Sequence, residues 1–115
     1  MLILRIRQAE TAFRDGRLDE AYELARMADV RAHYRGQQLI GQLTRSLLER
    51  GRRFLADGRW QQALSDCERA AKLGGNLTDA AELRQSIEAK LAAEQRQRRQ
   101  QADAVVAARG HLENG

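Results

Sequence analysis

The sequence predicts an all-α protein, and three observations carry that prediction. First, its 115 residues include no proline and few aromatics but abundant Ala, Leu, Arg, Gln and Glu, a mix that favours helix and gives strands little support. Second, apolar residues return at steps of three and four, the spacing of one helical face. Third, a short phrase recurs, as AFRDGRL at 12–18 and FLADGRW at 54–60, with a near-copy HLENG at 111–115. A repeat of this kind points to successive copies of one supersecondary unit.

The elements follow in order. Leu2, Ile6, Ala9 and Phe13 step by four, three and four and define a first helix, closed at Asp15-Gly16 because Gly takes a left-handed backbone without steric cost. Leu18, Ala21, Tyr22, Ala25 and Ala28 form the stripe of a second helix, expected to fade near Tyr34 to Gly36. A link of about two residues makes these helices antiparallel neighbours. A third stripe, Leu39 or Ile40, Leu43, Leu47, Gly51 and Phe54, ends at Asp57-Gly58, and Trp60, Ala63, Leu64, Cys67 and Ala70 repeat the second helix at an offset of 42. After GGN at 74–76, Thr78 with Asp79 and Glu82 supplies an N-cap and an acidic first turn for a fifth helix. Its stripe is Ala80, Leu83, Ile87 and Leu91; EQRQRRQQ at 94–101 is polar all round but holds no breaker. Helix is therefore expected through 113, roughly 50 Å at 1.5 Å per residue. That exceeds what a compact domain needs, and a continuation beyond Gly115 is expected. The organisation reads as two hairpins (1–36 and 37–76) and a long helix (77–115), whose first half packs as a cap and whose second half begins a truncated third repeat.

In the second unit Leu47, Gly51, Phe54, Ala63, Cys67 and Ala70 carry the resemblance: the chain resembles the tetratricopeptide repeat, whose large, small and aromatic positions on helix A precede small and bulky positions on helix B. Ala9, Ala12, Ala21, Ala25 and Ala28 give the first unit a weaker likeness, and Ala108 to Gly115 echo Gly51 to Gly58. The offsets of 42 and then 57 exceed the family's about 34, and its proline after helix B is absent. The resemblance implies five helices in a right-handed superhelix of antiparallel hairpins. It also implies a groove along the A helices that takes a partner segment, placed at Arg45, Leu48, Arg52 and Leu55 in the second unit. The matching positions are Ile3, Ile6, Glu10 and Phe13 in the first and Val105, Arg109 and Leu112 in the third. The family's carboxylate clamp is not seen, because Ile6 and Glu10 occupy the places of its first Lys and Asn.

Residue chemistry narrows the function classes. The +4 charge is carried almost wholly by Arg, interleaved with acidic residues as on an ordinary solvated face. Cys67 is the single cysteine, so no intrachain disulfide forms, and with only His33 and His111 beside it no metal-ligand spacing exists. Cys67 reads as inert packing and Trp60 and Tyr22 as core aromatics. His33 reads as a cation favoured at the C-terminus of the second helix. Glu10, Asp19, Glu20, Glu23, Glu49, Asp66 and Glu68 read as surface partners of nearby arginines. No phosphate loop, carboxylate pair or nucleophile elbow appears, and no apolar run approaches the roughly 20 residues of a membrane span. The expectation is a cytosolic, non-catalytic module without cofactor or metal that binds an acidic or acidic-apolar protein segment. The competing classes are a nucleic-acid binder using Arg50, Arg52, Arg53, Arg59, Arg96, Arg98 and Arg99, and a helical oligomerisation module. Self-association is expected through the fifth helix, where Val105, Val106 and Leu112 lack a cover.

Overall fold

A computed structural model describes the backbone of residues 1–114 and the side chains of residues 1–106. All described elements are helices: α1 (Leu2–Arg14), α2 (Leu18–Ala25), α3 (Ala28–Ala32), α4 (Tyr34–Ala56), α5 (Trp60–Leu73) and α6 (Leu77–Asn114). The Asp-Gly turns close α1 and α4 as the sequence implies, with Gly16 and Gly58 at φ +79° and +77°. Gly74, at φ +76°, ends α5 in the same way.

Among the described residues there are six helices, not five. The predicted second helix breaks at Met27, whose backbone is extended, and restarts as the single-turn-scale α3. No Gly or Pro marks this break; it is stabilised by tertiary partners instead. The Asp29 carboxylate accepts from the Val30 amide and pairs with Arg5 on α1, while Val30 is driven fully under α4. Ala28 consequently leaves the apolar stripe and is exposed. α4 begins five residues earlier than its stripe suggests, at Tyr34. His33 is therefore an N-cap, not a C-terminal cation: its Nδ1 accepts from the Arg35 amide at 3.1 Å. That bond satisfies one of the free amides of the first turn of α4. Gly36 is not a breaker either. It is buried inside α4, and a Cβ there would stand 1.7 Å from the Val30 carbonyl oxygen. The cap of α6 is likewise Asn76, not Thr78, since Asn76 Oδ1 accepts from the Asp79 amide.

α1 packs antiparallel on α2 and α4 on α5; α4 also touches α1 and α2, and α6 touches α5 and α4. The first half of α6 thus stands to the hairpin α4–α5 as α4 stands to the hairpin α1–α2. The residues agree: Ala80, Leu83, Ile87 and Leu91 lie 44 positions after Gly36, Leu39, Leu43 and Leu47, and all but the partly buried Leu91 are buried. One continuous core results, running from Ala9 and Ala12 through Leu43, Leu47, Ala63 and Cys67 to Leu83 and Ile87. Tyr22 is buried in it, whereas Trp60 only packs against its edge. Gly51 sits at the crossing of α4 and α5, where an added Cβ would meet the Leu83 Cδ2 at 3.1 Å and the Ala63 carbonyl at 3.5 Å. From Ala92 to Val106 the α6 side chains are exposed apart from the half-buried Glu94, so this stretch projects as a lone helix and gives the molecule its 75 Å length.

Candidate interaction surface

α4 is long because its first turns precede the part that pairs with α5, and this leaves a cleft on each flank. Toward α6, Arg45, Leu48 and Arg52 lie on one α4 face at steps of three and four. With Gly41 and with Gly75, Asn76 and Asp79 of the α5–α6 turn they bound a cleft of about 360 Å³. Leu48 is 2% exposed and forms its floor. Arg45 and Arg52 are exposed, and neither takes part in the ion pairs of the described residues. Gly75 lets the turn approach this closely: its Cβ would fall 2.5 Å from the Thr44 hydroxyl. Toward α1, Phe13, Leu39 and Gln42 line a second cleft, of about 470 Å³, closed at one end by the Arg35–Glu10 ion pair. Arg35 holds its proton more tightly than usual, chiefly through that hydrogen bond.

The sequence-derived groove residues are thus only partly gathered. Arg45, Leu48 and Arg52 share one cleft. Leu55 is half-buried against the core and does not line it. Val105 is exposed on the projecting part of α6, and the Arg109 and Leu112 side chains lie outside the described residues. In the first unit Phe13 lines the α1–α4 cleft, Glu10 is engaged by Arg35, Ile6 is core, and Ile3 is exposed and lines neither cleft. The contribution of the α5–α6 turn has no repeat signature, and GGN marks only a chain break.

A second cluster departs from the sequence reading. Asp66 is a buried residue, 1% exposed, not a surface partner. Arg50 grips it with a two-pronged fork, Nε donating to Oδ2 at 2.8 Å and Nη2 to Oδ1 at 2.7 Å, and also donates to Asp19 at 2.8 Å. Arg69 adds contacts to Asp66 at 3.3 Å and to Asp19 at 3.2 Å. Three helices, α2, α4 and α5, are tied by these four side chains. Arg50 also lies over the Phe54 ring and Arg69 over Tyr22. The hydrogen bond to Asp66 holds the Arg50 proton well above the ordinary guanidinium range, against desolvation, and the Arg50 bond lowers the Asp19 carboxyl despite its partial burial. Arg50 therefore belongs to a junction between hairpins, and the basic cluster expected at 50–59 is reduced to Arg52, Arg53 and Arg59. On α6 Arg98 pairs with Glu94, leaving Arg96 and Arg99.

The thiol of Cys67 is buried, donates to the Ala80 carbonyl at 2.9 Å, and burial pushes its pKa up. A protonated, engaged thiol is a packing group. Among the described residues no group of three or more metal-ligand side chains gathers, and no helix is long and apolar enough to cross a membrane. No known protein family, curated protein sequence or solved structure matches this chain.

Proposed function

We propose that this chain is a non-catalytic, tetratricopeptide-like interaction module that holds an acidic, partly apolar protein segment in the clefts flanking α4. One observation carries the reading: two exposed arginines that have no ion partner among the described residues, Arg45 and Arg52, stand two helical turns apart on either side of the leucine floor at Leu48. Arginine presents a planar donor fork that suits carboxylate, and an apolar floor between two such forks matches a segment that alternates acidic and apolar residues. The order of packing supports a superhelical array, since each helix A rests on the hairpin before it. The nucleic-acid reading is weakened by the engagement of Arg50 and because Phe54 and Trp60, the aromatics next to the remaining arginines, pack against the core.

The test is a titration with a fluorescent peptide of alternating Glu and Leu, at two salt concentrations. Binding is expected, reduced at least tenfold in the double variant Arg45→Ala/Arg52→Ala and unchanged in Arg53→Ala. Tighter binding of duplex DNA than of the peptide, with a steep salt slope, would replace this reading with the nucleic-acid one.

A further inference from the structure

The two clefts beside α4 hold the same pair of positions with the charges exchanged. At the 42-residue offset that relates α1 to α4, Glu10 corresponds to Arg52; at the 44-residue offset that relates α4 to α6, Arg35 corresponds to Asp79. The frame around the pair is alike at both junctions. Glu10 and Arg52 each follow the small residue of a helix crossing, Ala9 and Gly51, while Arg35 and Asp79 each precede one, Gly36 and Ala80, and all four small residues are buried. In the α1–α4 cleft the pair is made: Arg35 donates through Nη2 to one Glu10 oxygen and through Nε, at 3.4 Å, to the other. In the α4–α6 cleft Arg52 and Asp79 both line the space, yet Arg52 takes part in none of the ion pairs of the described residues. The Asp79 carboxylate accepts from Asn76 Nδ2 at 2.7 Å. Asp79 is also the one acidic residue among those lining this cleft.

We infer, resting on the reading of this cleft as the acceptor of an acidic segment, that Asp79 is a built-in competitor for that segment at Arg52. The cleft closes when the Arg52 side chain swings onto Asp79, and it is open when Arg52 is free to meet a carboxylate of the ligand. Only a side chain has to move, because the first junction makes the same contact within the same backbone frame. Asp79 is one methylene shorter than Glu10, so the contact is less readily reached here than at the first junction. The repeat pairs Asp79 with Arg52 and not with Arg45, whose counterpart on α1 is the uncharged Ile3. Arg45 therefore stays available in both states. A ligand that binds only the open state loses affinity in proportion to the closed fraction, and an exposed ion pair is weak, so Asp79 tunes affinity and does not lock the cleft.

The experiment is titration of the full chain and its variants with the fluorescent peptide of alternating Glu and Leu at low salt, with circular dichroism melts as a control for folding. Asp79→Asn, which removes the charge and keeps the size, should bind about two- to fivefold more tightly than the unaltered chain, the span that an exposed ion pair supports. The gain should persist in an Arg45→Ala background and disappear in an Arg52→Ala background. Asp79→Glu, which restores the reach of Glu10 at unchanged charge, should bind more weakly than the unaltered chain. Asp79→Asn with no gain, or with the same gain in both arginine backgrounds, overturns the inference and leaves the reading of the cleft standing, since the carboxylate would then act by general repulsion or not at all. A peptide that fails to bind, or whose affinity is indifferent to the loss of both Arg45 and Arg52, overturns the reading of the cleft and this inference with it.

Discussion

Two junctions in this molecule share one arrangement and differ in chemistry. Where α4 meets the hairpin α1–α2, a buried carboxylate, a forked arginine and two flanking charges cross three helices. Where α6 meets the hairpin α4–α5, the contact is made by Gly51, Ala63, Cys67, Ala80, Leu83 and Ile87; the buried polar link is the Cys67 thiol to the Ala80 carbonyl, and a loose, half-exposed ion pair, Arg84 to Glu68 at 3.9 Å, lies at its rim. The difference teaches that close approach of small residues is what this arrangement requires, while buried charge adds directionality at one junction only. A buried carboxylate is tolerable only opposite its arginine, so any slip of α4 along α5 is penalised by desolvation. An apolar contact discriminates less between neighbouring registers.

The close-approach half of this comparison predicts the largest effect. At the start of α4 an added Cβ at Gly36 would strike the backbone oxygen of Val30 at 1.7 Å, which no side-chain rotation relieves. Gly36→Ala is expected to destabilise by about 3 kcal/mol, the upper part of the overpacking range, overriding the about 1 kcal/mol that Ala gains over Gly in a helix. At the other junction the equivalent position already carries a Cβ, in Ala80. Gly51→Ala meets only the end of the flexible Leu83 side chain at 3.1 Å and should change stability by less than about 1 kcal/mol. Urea denaturation of both variants is the check. Equal losses would show that the two crossings are equally tight.

The charged half predicts the next effect. Asp66→Ala leaves Arg50, whose side chain is 23% exposed, without its main partner; a loss of about 2 to 3 kcal/mol is expected, below the full buried-pair range because Asp19 remains. Asp66→Leu combined with Arg50→Leu should recover most of that, since apolar residues of similar volume often replace a buried pair at little cost. The second junction already works without such a pair. If the double variant stays as unstable as Asp66→Ala, or acquires a broadened unfolding transition, then the ions are required to hold the register and not merely tolerated.

Legibility in the sequence follows the same division. Both Asp-Gly turns, the antiparallel hairpins, the stripes of α1, α4 and α5 and the burial of Gly51 and Cys67 are local or periodic features, and helical spacing alone reveals them. The break at Met27 and the early start of α4 depend on Val30, Asp29 and Gly36 meeting residues far away in the chain, and they leave no turn signature. Asp66 was legible as an arginine partner at i+3 to Arg69, yet its burial depends on Arg50, 16 residues earlier on another helix, and no spacing rule links the two. Of the residues that the family spacing placed in a groove, Arg45, Leu48 and Arg52 fall in one cleft because they share one face of one helix. The wall supplied by Gly75, Asn76 and Asp79 was not legible, because a loop's approach to a neighbouring helix is fixed by packing.

The smallest effect isolates the outermost charge of the first junction. The Asp19 carboxyl titrates below its ordinary value, first because Arg50 donates to it and then because Arg50 and Arg69 are cationic. In the unfolded chain it titrates near about 3.9. A carboxyl lowered on folding contributes stability that is fully present above the unfolded value and is lost as pH falls through the folded one. Asp19 is two-thirds exposed, so its contribution is expected at about 0.5 kcal/mol, in the range of solvent-exposed ion pairs. The stability difference between the unaltered chain and Asp19→Asn should therefore be constant from neutral pH down to about 4 and shrink toward zero below it. Added salt should diminish it, because an exposed pair is screened. A difference that persists unchanged in acid and in high salt would mean that Asp19 acts through packing or hydrogen bonding alone, and the directional role of charge at this junction would then rest on Asp66 and Arg50.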